Sequence, residues 1–113
     1  PCEIYSNEST NIFVPDCEEQ SVLVYDMYGV FLYDLPVKVP FVWTDVKVFG
    51  ETLIYFNDES IYFYNYFTKN TGPHLQPTGK LLDIALNGDF MFVLTEKRVN
   101  LYRLRWPKKS WAC

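Results

Sequence analysis

Residues 22–33 read VLVYDMYGVFLY, two apolar runs rich in β-forming residues on either side of a short turn. The phrase returns as LIYFNDESIYFY at residues 53–64 and as MFVLTEKRVNLY at residues 91–102. The blocks align without a gap. Their ninth positions are Val30, Ile61 and Val99, their eleventh Leu32, Phe63 and Leu101, and their twelfth Tyr33, Tyr64 and Tyr102. Two such runs around a turn spell a β-hairpin. Recurrence at intervals of 20 to 50 residues spells an array of similar supersecondary units.

Working outward, each block is preceded by a further β-rich run, at residues 11–14, 45–49 and 81–86. The first of these is expected to stop at Pro15-Asp16. Residues 37–39 lie between Pro36 and Pro40, so they read as an edge strand or an extended link, because proline removes a ladder donor. Residues 68–79 (TKNTGPHLQPTG) read as the one clear loop, with a short edge segment at 74–76 as the alternative. Gly29 suits a turn that needs positive φ, and Asn87-Gly88 is the strongest tight-turn signal. No window carries the i, i+3, i+4, i+7 spacing of an amphipathic helix.

The fold class is therefore all-β. Four meander strands repeated at 30 to 40 residues follow the plan of a β-propeller blade. About three blades do not close a ring, so 1–113 reads as a single all-β region and a fragment of a larger propeller. A small closed β-sandwich is the alternative. On either reading Val30, Ile61 and Val99 are expected in the core.

Composition supports this class. Hydrophobic residues make up 49% and aromatics 19% of the 113 residues, enough for a core and too much for disorder. Charged residues or proline interrupt every apolar stretch well before the length of a membrane span. The chain starts at Pro1, without Met and without the apolar core of a signal peptide, so processing or excision from something longer is expected. The net charge of −4 conceals an asymmetry. Residues 1–60 carry eleven acids against Lys38 and Lys47, whereas residues 61–113 carry eight basic residues against Asp83, Asp89 and Glu96.

The chemistry of a catalytic site is missing. The single histidine, His74, sits in a Pro-rich stretch without a nucleophile nearby, and Cys2, Cys17 and Cys113 lack metal-ligand spacing. The acids at 16–19 and 58–59 lack a calcium-loop pattern, and no phosphate-binding glycine loop is present. We expect no enzyme and no cofactor. Three free thiols and an unused Asn7-Glu8-Ser9 sequon are expected; a Cys2–Cys17 bridge with a sugar on Asn7 would instead mark an exported chain. Basic and aromatic groups mix in the tail, where Arg103, Arg105, Trp106, Lys108, Lys109 and Trp111 form the candidate partner-binding set. Solvated strand residues are the plain explanation of that set; a protein partner ranks above nucleic acid or lipid.

The phrases LVYDMYGVFLYD, VPFVWTDVKVFGETLIYFNDESIYFYNY and GKLLDIALNGDFMFVLTEKRVNLYRL resemble the last blades of a citron homology domain. Residues 23–31, 52–63 and 90–104 carry the resemblance, in hydrophobic pattern more than in polar motif. Trp43 followed by Thr44-Asp45, and the long stretch 68–79, depart from it. The resemblance implies a non-catalytic propeller scaffold for protein–protein interaction, as in vesicle-tethering subunits and Rho-pathway regulators. Small GTPases or other subunits of a complex would be its partners, in the cytoplasm or at endomembrane surfaces. The competing expectation is a small secreted or viral β-sandwich that binds a host or cell-surface protein.

Overall fold

A computed structural model of the chain describes Tyr5–Ser6, residues 11–35 and residues 37–103. Regular structure in these residues is all β, in eleven strands: β1 (Tyr5–Ser6), β2 (Ile12–Asp16), β3 (Ser21–Tyr25), β4 (Phe31–Asp34), β5 (Asp45–Phe49), β6 (Thr52–Phe56), β7 (Ile61–Asn65), β8 (Asn70–Leu75), β9 (Leu81–Asn87), β10 (Phe90–Thr95) and β11 (Val99–Arg103). They form three antiparallel meanders, β1-β2-β3-β4, β5-β6-β7-β8 and β9-β10-β11, and none closes into a barrel.

The turns follow from single residues. Gly50 and Gly88, at φ +59° and +60°, each open a two-residue loop, after Phe49 and Asn87. Glycine is the residue for that left-handed position. Elsewhere a side-chain oxygen caps the turn. Asn57 Oδ1 accepts from the N–H groups of Glu59 and Ser60 at 2.8 Å, and Thr95 Oγ1 accepts from those of Lys97 and Arg98. Both work as local backbone mimics.

Two cores separate the three sheets. Phe13, Val22, Val24 and Leu35 of the first sheet's side meet Trp43, Val46, Leu53, Tyr55 and Tyr64. Ile54, Phe56, Ile61 and Phe63 of the middle sheet meet Leu81, Ile84, Met91 and Val93. The middle sheet is therefore covered on both faces, and every residue of β6 is buried. That is why its sequence, TLIYF, is apolar at successive positions instead of alternating. The linkers that enter the middle and third sheets dock on the preceding sheet. Trp43 N–H donates to Gln20 Oε1 at 2.9 Å, and Gln20 Nε2 donates to Trp43 O at 2.8 Å. One sheet further on, Leu81 N–H donates to Asp58 O at 2.8 Å.

Several expectations need correction. The three blocks do not occupy equivalent places. Residues 53–64 and 91–102 are the second and third strands of their sheets, with Leu53 opposite Tyr64 and Met91 opposite Tyr102. Residues 22–33 fall on the third and fourth strands, and their pairing is displaced, with Tyr33 opposite Val24 and a register shift beside it. The counterpart of residues 53–64 in the first sheet is the β2–β3 hairpin. Any two adjacent apolar strands around a turn give nearly the same pattern, so the sequence repeat matches the first block one strand out of step with the other two.

The strand order changes with it. The first sheet gains β1 as its fourth strand, and residues 37–39 form none. β2 continues through Pro15, which lies opposite Val22. The Val22 carbonyl accepts from Leu35 N–H, so the polar backbone of Val22 points toward β4. Pro15, its partner, thus turns its missing donor away from β3, and the pairing loses no bond. Half of the expected loop 68–79 is β8. It pairs with β7, and Gly72-Pro73 stand opposite Phe63 alone, a bulge that absorbs the proline. Finally, Val30 and Val99 are exposed, and of the three ninth positions only Ile61 is in a core.

Candidate functional site

The basic, aromatic tail is placed only at its start. Arg103 ends β11 opposite Phe90 and is exposed. Arg105, Trp106, Lys108, Lys109 and Trp111 lie outside the described residues, as do Asn7, Cys2 and Cys113. His74 is exposed on β8 and stacks on Phe41, with ring centroids 5.3 Å apart. Among the described residues no three His, Cys, Asp or Glu side chains group closely enough to hold a metal. No described helix is long and apolar enough to cross a membrane.

Cys17 is disulfide-bonded, contrary to the expectation of free thiols. Its Sγ lies 3.3 Å from Thr44 O, a contact only, since a disulfide sulfur has no proton to donate. Buried polar groups gather around the middle sheet. Tyr55, packed edge-on against Trp43, has its hydroxyl buried with no hydrogen-bond partner. Burial raises its pKa well above the usual tyrosine value, and Tyr64 and Tyr62 add to that. Tyr64 is raised too, first by burial and then by Tyr33 and Tyr62.

The feature that sequence reading missed is a matched pair of turns. In β3–β4, Asp26 Oδ1 accepts from Tyr28 N–H and Val30 N–H, both at 2.9 Å. Gly29, at φ +83°, closes the loop by donating to Asp26 O. In β7–β8, the corresponding turn of the next sheet, Asn65 Oδ1 accepts from Phe67 N–H and Thr68 N–H at 2.9 Å. Each turn thus places an aromatic residue two positions after its capping carboxylate or amide. Tyr28 is 82% exposed and Phe67 72%. Met27 and Val30 flank Tyr28 and are exposed as well. The turns between second and third strands carry acids or lysine instead: Glu18-Glu19, Asp58-Glu59 and Glu96-Lys97.

Large apolar side chains held out on rigid turns are costly to leave in water and suit a protein partner. The sequence contained the signal, an Asx residue followed two places later by an aromatic, in DMY and NYF. It was masked because other aromatic residues crowd both stretches. No protein-family model matches this chain, and no curated protein matches it either.

Proposed function

We propose that this chain is a non-catalytic protein-interaction module built of propeller-type sheets, and that it holds its partner through the β3–β4 and β7–β8 turns. The observation that carries this reading is the Tyr28 and Phe67 pair, each fixed by the same side-chain cap on consecutive sheets. Pre-organised aromatic tips bind without a large ordering cost, which is what hot-spot residues do in partner recognition. The citron-homology resemblance adds a partner class, small GTPases or subunits of a tethering complex in the cytoplasm. Arg103 and the basic tail are a secondary contact in this scheme.

One observation favours a second reading. The disulfide at Cys17 fits an oxidising compartment, hence an exported domain that binds a host or cell-surface protein. Both readings use the same tips, and they differ in where the partner is sought.

A photo-crosslinking residue at position 28 or 67, with position 59 as control, tests the surface and captures the partner. With that partner purified, Tyr28→Ser together with Phe67→Ser should weaken binding by at least tenfold, while Glu59→Ala leaves it unchanged. Equal binding by the double variant would overturn the reading. Mobility of the chain from its native source with and without reductant separates the two compartments.

A further inference from the structure

Cys17 opens the β2–β3 turn and ties that turn to two other parts of the chain. One is the linker into the middle sheet. The Cys17 side chain packs against the first core, and its Sγ lies 3.3 Å from Thr44 O. Its carbonyl accepts from Gln20 Nε2 at 2.7 Å, and the same amide nitrogen donates to Trp43 O. The other is reached through the disulfide. Cys17 is the one cysteine among the described residues, and the chain has three, so its partner is Cys2 or Cys113.

The register of β1 on β2 decides between them. Tyr5 stands opposite Phe13 and Ser6 opposite Ile12. In an antiparallel pair each step back along one strand is a step forward along the other, so the same register carried on assigns Cys2 to Asp16, the neighbour of Cys17. A bridge needs Cα atoms about 4.4–6.8 Å apart, which neighbouring strands ~4.8 Å apart supply. Cys113 starts from the wrong place. β11 ends at Arg103, opposite Phe90 and beside the β9–β10 turn. Cys17 sits at the other end of the sheets, where the β2–β3 turn holds Trp43 and the β6–β7 turn holds Leu81, and the middle sheet lies between. The way back is ~17 Å along a five-residue strand plus ~10 Å for each of two sheet spacings. That takes all of the ~35 Å that the ten residues after Arg103 can span when fully extended.

We infer that the bridge joins Cys2 to Cys17 and acts as a redox-sensitive clasp on the first strand. β1 has two residues and sits at the edge of its sheet, too short to hold itself there. β2 shows what the clasp protects. The Val22 carbonyl faces β4, so Pro15 opposite it, and Phe13 two residues earlier, turn their backbones toward β1. The Phe13 N–H thus rests on β1, whereas the Val14 N–H rests on β3. A dithiol reductant opens the bridge by exchange: its own two sulfurs join, and Cys2 and Cys17 take up two electrons and two protons as thiols. β1 is then free to leave, and β2 becomes an edge with unpaired backbone groups, the condition for taking on a foreign strand. In an oxidising compartment the edge stays covered. The pairing stands or falls independently of what binds at Tyr28 and Phe67.

Peptide mapping of the unreduced protein by mass spectrometry tests the pairing. Cleavage after glutamate separates the three cysteines, since Glu3 and Glu8 lie between Cys2 and Cys17, and Glu96 lies ahead of Cys113. The peptide of residues 9–18 is expected in disulfide linkage with the one that carries Cys2. Linkage to the peptide that carries Cys113, or a free Cys17 thiol, overturns the proposal. Hydrogen exchange tests the clasp. Reduction under native conditions should speed exchange of the Phe13 amide by about tenfold or more and leave that of Val14 unchanged. Cys2→Ser should do the same without touching Cys17 in the core, and Cys113→Ser should alter neither amide. Phe13 protection that survives loss of the bridge, or loss of protection at Phe13 and Val14 together, overturns a clasp confined to β1.

Discussion

Tyr55 shows how one side chain can be both a core residue and a weakness. Its ring fills the space beside Trp43, but its hydroxyl is buried without a partner, which costs about 1–3 kcal/mol. Tyr55→Phe should therefore raise stability by about 1 kcal/mol in a denaturant titration. The same burial makes the fold sensitive to alkali. Tyr55 ionises in the unfolded chain near the ordinary 10.0 but stays neutral in the fold to a much higher pH. Above pH 10 the native state thus binds more protons, so stability is complete below pH 10 and falls as pH rises, by up to about 1.4 kcal/mol per unit. Tyr55→Phe should flatten that decline, leaving the smaller contribution of Tyr64. Denaturant midpoints measured from pH 8 to pH 11 would check both. Gln20 makes the opposite case: an unremarkable polar residue in the sequence, it joins the β2–β3 turn to Trp43 through two hydrogen bonds and donates a third to Cys17 O within the turn. Nothing in its neighbours announces that role, because the partner is 23 residues away.

At the level of the strand, Ile61 and Val99 separate what periodicity reveals from what it hides. Both are apolar ninth positions of their blocks. Ile61 is fully buried and Val99 is open. Ile61→Asp should abolish soluble folding, since a buried unpaired carboxylate costs more than the few kcal/mol a domain of this size holds. Val99→Asp should give native-like circular dichroism, and a folded Ile61→Asp protein would sink the two-core description. The hairpins β6–β7 and β10–β11 were legible because their turns and apolar runs are local. The all-β class was legible for the same reason. β8 was not, since Gly72 and Pro73 look like breakers until a bulge opposite Phe63 accommodates them. Nor was the place of residues 22–33 within its sheet, which depends on the two-residue strand β1. The basic and aromatic character of the tail can be read from the sequence, whereas Tyr28 and Phe67 stand out only once the capped turns are known.

Over the whole molecule, the middle sheet holds the other two, touching one core with each face. Loss of either outer sheet would expose half of it, so its stability includes both neighbours, as in linear repeat arrays. Native-state hydrogen exchange should find the slowest amides in β6 and β7 and faster ones in β2, β3, β10 and β11; a reversed order would contradict this coupling. The meander order has a consequence for how the chain is made. Every described strand pairs only with strands adjacent to it in sequence. Its contacts therefore span short distances along the chain, which favours quick folding for a β protein. During synthesis each sheet can assemble once its own last strand has left the ribosome, without waiting for the rest. The growing polypeptide thus need never carry a long stretch of unpaired strands, which are the species most prone to misassociate.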